Sequence, residues 1–69
     1  MERTPVISSN IAAIGYNEDN QVLEIEFNNG SVYQYSDVPS SERDGIMSAE
    51  SKGRYFHANI RERYPYVKL

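Results

Sequence analysis

Between Gln21 and Phe27 the chain alternates: Leu23, Ile25 and Phe27 fall on one side of an extended strand, and Val22, Glu24 and Glu26 fall on the other. Another such run, Ser31–Asp37, follows Asn28, Asn29 and Gly30. The length of that connection decides where the tyrosines go, because a slip of one residue exchanges the two faces of a strand. A two-residue turn at Asn29-Gly30 would set Glu26 opposite Tyr33 and Glu24 opposite Tyr35, with the tyrosines on the polar face. A three-residue loop ending in a left-handed glycine sets Ile25 opposite Tyr33 and Leu23 opposite Tyr35. The second arrangement gathers one clean apolar face and is the one expected.

Upstream, Ile11–Tyr16 reads as a strand joined to the next by Asn17-Glu18-Asp19-Asn20. With those four residues as the loop, Tyr16 faces Gln21, Ile14 faces Leu23 and Ala12 faces Ile25. Ala12, Ile14 and Tyr16 then join the same apolar face. Val6 and Ile7 suggest a short extension ahead of Ser8-Ser9-Asn10, whose side chains suit a bend or a cap. The competing reading of that polar run is a pocket wall.

Pro39 stops the strand that carries Tyr33 and Tyr35. Ser40 or Ser41 caps a short helix, with Ser41 and Asp44 at capping-box spacing. Gly45 inside it costs about 1 kcal/mol relative to Ala, and Ile46, Met47 and Ala49 form its buried side. Ser51 caps a further helix, which Pro65 ends just after Tyr64. There Phe56, Ile60 and Tyr64 span about 80° of arc as a core stripe, with Arg54 and Arg61 roughly opposite and His57 between them. The fold expected is a small α+β domain: a three-stranded antiparallel β-meander with two C-terminal helices packed on one face. Residues 1–69 make a single domain, with a core over about 6–64 and a tail over 65–69. The expected core is Ile14, Tyr16, Leu23, Ile25, Phe27, Tyr33, Tyr35, Phe56 and Ile60.

Composition narrows the class. Apolar residues at 39% and charged residues at 25% fit a globular domain. A chain this size buries roughly 60% of the surface its unfolded form exposes, so its stability is modest. There is no cysteine, hence no disulfide, thiolate metal site or cysteine nucleophile. No apolar run approaches the length of a membrane helix, and MERTPVISSN lacks the apolar centre of a signal peptide, which makes a cytoplasmic location the expectation. The net charge of −3 conceals an asymmetry. Residues 1–50 carry two basic groups against nine acidic ones, and residues 51–69 carry Lys52, Arg54, Arg61, Arg63 and Lys68 against Glu62 alone. Such a split suits an anionic partner, and it equally suits an acidic sheet holding its own basic helix.

Several stretches, in order, resemble the KTSC domain, named for its occurrence at the C-terminus of some lysyl-tRNA synthetases and also found as small stand-alone bacterial and phage proteins. They are Ser8-Ser9-Asn10-Ile11, Ile14-Gly15-Tyr16, Leu23–Phe27, Gly30, Tyr33-Gln34-Tyr35, Val38-Pro39, and Ser51-Lys52-Gly53 followed by Tyr55-Phe56 and Ile60-Arg61. The resemblance runs from about Val6 to Tyr64. Ser40–Gly45 is more polar than the pattern, and His57 stands where Asn is common. The resemblance implies no established activity; attachment to a tRNA synthetase directs the expectation toward RNA.

The residues offer two functional readings. One is RNA binding, tRNA-like or single-stranded, with Lys52, Arg54, Arg61, Arg63 and Lys68 contacting phosphates and Tyr55 and Tyr66 stacking on bases. The free N–H groups at Ser51-Lys52-Gly53 would add to it. Its plain counterpart is a solvated helix face, with Arg61 or Arg63 paired to a sheet carboxylate. The other reading is a protein-interaction or homo-oligomerisation module acting through a sheet edge or through the open face bearing Val22, Glu24 and Glu26. Tyr16, Tyr33 and Tyr35 belong to the core with hydroxyls at its rim. Catalysis has little to build on: His57 is the lone histidine, and Gly15, Gly30, Gly45 and Gly53 are isolated rather than a phosphate loop. No metal and no cofactor are expected.

Overall fold

The computed structural model describes every residue from Met1 to Leu69. Its elements are β1 (Arg3–Pro5), β2 (Ile11–Asn17), β3 (Val22–Phe27), β4 (Val32–Tyr35), α1 (Ser40–Ser48), α2 (Lys52–Asn59) and β5 (Tyr66–Lys68). All five strands form one antiparallel sheet in sequence order, rather than the three-stranded meander expected. The two additions are three-residue strands at the edges, and the supposed tail after Pro65 is one of them. Neither is long enough to show alternation; pairing with a formed neighbour defines them. Two helices cover one face, and neither is long and apolar enough to cross a membrane.

The β3–β4 hairpin has the expected register, Ile25 opposite Tyr33 and Leu23 opposite Tyr35. Gly30 sits at φ +91° in the left-handed position that closes the three-residue loop. The loop is held by Gly30 N–H donating to Phe27 O at 2.9 Å and Phe27 N–H donating to Ser31 O at 2.8 Å.

The β2–β3 register differs by two residues: Tyr16 faces Leu23 and Ile14 faces Ile25. The loop is Glu18–Gln21, with Gln21 in the left-handed region at φ +54°. An even shift preserves sidedness, so Ile14 and Tyr16 still look toward the helices. A bulge between Ile11 and Ala13 makes a further correction. The extra residue lets both Ile11 and Ile14 reach the core, and Ile11, not Ala12, fills that place.

The buried cluster is Ile11, Ile14, Leu23, Ile25, Tyr35, Val38, Ile46, Phe56 and Ile60, with Tyr16, Phe27 and Tyr33 half-buried against it. The Tyr16 hydroxyl donates to Val38 O at 2.6 Å, so its polar end is satisfied at the rim. Ile7 is fully exposed, and the expected extension begins earlier, at Arg3. Ser8 Oγ accepts from the N–H groups of Asn10 and Ile11, both at 3.3 Å, which is the strand-entry role.

The helices also depart from expectation. Pro39, not a serine, occupies the N-cap of α1, and no side chain caps it. In α2 Ser51 does cap, accepting from Arg54 N–H at 3.2 Å. That helix ends at Asn59, six residues before Pro65. Ile60 N–H and Arg61 N–H both donate to Phe56 O, and Asn59 Nδ2 takes Tyr55 O, so the last turn opens. The chain uses residues 60–65 to reach the edge of β4. Tyr64 therefore packs on the core from a turn and not from a helical stripe.

Candidate functional site

The helices stop short of β5, and a groove of about 680 Å³ opens between the end of α2 and the last two strands. Its walls carry Phe27, Tyr33, Tyr35, Phe56, Tyr64 and Tyr66, with both Arg61 and Glu62 beside them. Register explains the gathering. Tyr35 lies opposite Tyr66, and Tyr33 lies opposite Lys68, so all four point to the helix side. Ring centroids of Tyr66 stand 5.6 Å from both Tyr33 and Tyr35. Phe27 meets Tyr33 and Phe56 edge-on at 5.7 and 5.4 Å. Tyr66 remains 57% exposed, which leaves an aromatic face open to a ligand.

Arg61 joins this groove to a second recess of about 440 Å³, lined by Ser9, Asn10, Asn28, Asn29, Phe27, Phe56 and His57. Arg61 Nη1 lies 3.4 Å from His57 Nδ1. It is otherwise free, because the sheet carboxylates are taken by other arginines. Arg3 bridges Glu24 at 3.2 Å and Glu26 at 3.6 Å, and Arg43 bridges Glu18 and Asp44. Neither Arg61 nor Arg63 pairs with a sheet carboxylate, so that part of the plain alternative does not hold, while both are exposed as its solvated face requires. Burial, then the neighbouring Tyr33 and Tyr66, push the Tyr35 phenol up to about 12, so it stays neutral in the groove.

The expected basic stripe is dispersed. Lys52 Nζ donates to Met47 O and Ala49 O at 3.2 and 3.0 Å, which closes the end of α1 and engages two of its three donors. Arg54 sits apart, near Glu50, Tyr55 and Ala58. Arg63 lies toward Tyr55 and Tyr64, and its charge acts on both phenols. Arg54, Arg61, Arg63 and Lys68 are exposed; Arg61 and His57 are the members brought together.

Tyr55 is not the open stacking surface expected of it. Its ring crosses α1 over Gly45, where an added Cβ would lie 2.6 Å from Cζ. Its hydroxyl donates to Glu42 Oε1 at 2.6 Å, while Tyr64 donates to Oε2 at 2.9 Å. The Glu42 hydrogen bond is the largest cause raising the Tyr55 pKa to about 12. Sequence reading missed this clamp and the groove floor. No local signal marks the floor, because the three residues Tyr66-Val67-Lys68 after Pro65 are too few to show a period.

No three His, Asp or Glu side chains converge as metal ligands, and His57 contacts the Phe56 ring and Arg61. The arrangement can stack planar groups and attract an anion beside them.

The KTSC domain model matches residues 7–64. The crystal structure of a KTSC domain protein from Yersinia pestis superposes with a TM-score of 0.94 at 45% identity, covering 99% of this chain and 96% of that one. An uncharacterised protein of Stutzerimonas stutzeri is 33% identical over 100% of this chain and 99% of its own length. A lysine–tRNA ligase of Nostoc sp. is 39% identical over 86% of this chain, a match covering 10% of the ligase. A groove on a meander capped by two helices, the matched span and these relatives agree: the chain belongs to the KTSC domain family.

Proposed function

We propose that this domain is a binding module for single-stranded RNA, including the unpaired loops of tRNA-like molecules, and that the aromatic groove is its site. The observation carrying this reading is the unpaired Arg61 guanidinium beside the open Tyr33–Tyr66 surface. Bases stack on such rings at about 1–3 kcal/mol each, and an arginine without a carboxylate partner is available to phosphate. Lys68, on the same face as Tyr33, extends the positive side. The presence of related segments within lysine–tRNA ligases is consistent with an RNA context. With a net charge of −3, attraction is local to the groove and affinity is modest.

The test is an NMR titration of labelled protein with a ten-nucleotide oligouridylate and with a tRNA mixture at two salt concentrations. Shifts are expected at Phe27, Tyr33, Arg61, Tyr66 and Lys68, fading with salt at roughly 0.7 log units per phosphate contacted. Arg61→Ala lowers that slope, and Tyr66→Ala weakens binding at every salt concentration. Absence of shifts at low salt refutes the proposal.

A further inference from the structure

The free edge of β5 has a fixed hydrogen-bond phase. Leu69 N–H donates to Val32 O and Ser36 N–H donates to Pro65 O, both at 2.8 Å. Both pairs continue the register that sets Val67 opposite Gln34. Antiparallel ladders alternate, so residues 65, 67 and 69 turn their backbone groups toward β4. Tyr66 and Lys68 turn theirs outward, each with an N–H and a C=O unpaired. The opposite edge is different. There β1 carries Pro5, which has no N–H, and Arg3 is held over the sheet by Glu24 and Glu26.

We propose that the β5 edge pairs with a second copy of this chain, antiparallel about a two-fold axis, with Tyr66 opposite Lys68 of the partner subunit. Outward positions pair only with outward positions, which leaves three registers. Setting Lys68 against the partner's Lys68 brings two ammonium groups together. Setting Tyr66 against the partner's Tyr66 leaves Lys68 outside the paired strand. The intermediate register uses every outward group of both strands and makes four backbone hydrogen bonds. It places an ammonium beside a phenol ring twice over, a cation–π arrangement in place of like-charge repulsion.

Val67, 57% exposed on the other face, then meets the partner's Val67. This is a non-hydrogen-bonded position, with Cα atoms about 4.5 Å apart. The axis stands perpendicular to the sheet, so both helix layers lie on one side and the two aromatic grooves become neighbours. So short an edge buries far less than the ~1,200 Å² of a standard interface, and the dimer dissociates on dilution. Pairing of the two edges follows from backbone phase and is independent of RNA binding.

Sedimentation equilibrium across micromolar to millimolar protein, without nucleic acid, is the first measurement, and the weight-average mass is expected to climb from one chain toward two. Lys68→Pro deletes an outward N–H without touching the β4 ladder, and is expected to hold the mass at one chain. Lys68→Glu, which keeps every backbone group, is expected to weaken association and guards against a folding defect in the proline variant. Under oxidation Val67→Cys is expected to give a disulfide-linked dimer, and Leu69→Cys far less. A single-chain mass at millimolar concentration overturns the proposal. So does association that neither Lys68 variant weakens, or cross-linking no better at residue 67 than at 69.

Discussion

Glu42 is the joint between α1 and the end of the chain's helical half, and its removal tests how this small core is held. Tyr55 and Tyr64 each donate to a separate carboxylate oxygen, at 2.6 and 2.9 Å. Hydrogen bonds to a charged acceptor contribute about 1.5–3 kcal/mol when buried. Both tyrosines are half-buried and can rehydrate, so each bond falls below that range, at about 1 kcal/mol, which gives ~2 kcal/mol for Glu42→Ala. A domain of this length has a total stability of roughly 3–10 kcal/mol, so the loss is a large share. At about 2.1 cal/mol/K of unfolding entropy per residue, the 69-residue chain loses roughly 14 °C in Tm. The assay is a double-mutant cycle by urea denaturation. Tyr55→Phe and Tyr64→Phe are each expected to cost about 1 kcal/mol in the native background and close to nothing in Glu42→Ala. Equal costs in both backgrounds would show that the hydroxyls act independently of Glu42, and the clamp would be refuted.

Gly45→Ala, stabilising by about 1 kcal/mol in an ordinary helix interior, is expected to lower Tm here, since the new methyl displaces the Tyr55 ring from α1; a rise in Tm would refute this. Stability should be level up to about pH 10 and fall toward pH 12. Unfolded tyrosines ionise near 10 while folded Tyr35 and Tyr55 hold their protons to about 12, so the unfolded chain sheds protons first. Urea midpoints at pH 8, 10 and 11 read this, and Glu42→Ala should blunt it by removing the main cause at Tyr55. Arg3→Ala leaves the buried Glu24 carboxylate with only the Gln34 amide at 2.8 Å, and should cost about 1–2 kcal/mol in the same urea assay, whereas an unchanged midpoint would show that solvent replaces the guanidinium.

What the sequence alone determined was sidedness. Residues two apart in a strand share a face whatever the loop does, so Leu23, Ile25, Tyr33 and Tyr35 were legible as one surface, and Gly30 marked the turn that aligned them. The two-residue error in pairing β2 with β3 left that surface intact for the same reason. Phe56, Ile60 and the Ser51 cap were legible too, because one helical turn and one side-chain acceptor are local matters. Tertiary structure decided what local pattern cannot hold. A three-residue strand has no period of its own, so β1 and β5 exist through their neighbours, and with β5 came the aromatic groove. Charge totals likewise could not say which cations were already engaged. Lys52 closes α1 and Arg3 serves the sheet, while Arg61 is left beside the tyrosines. A side chain's partners are set by which backbone segments meet, and those meetings lie far apart along the chain.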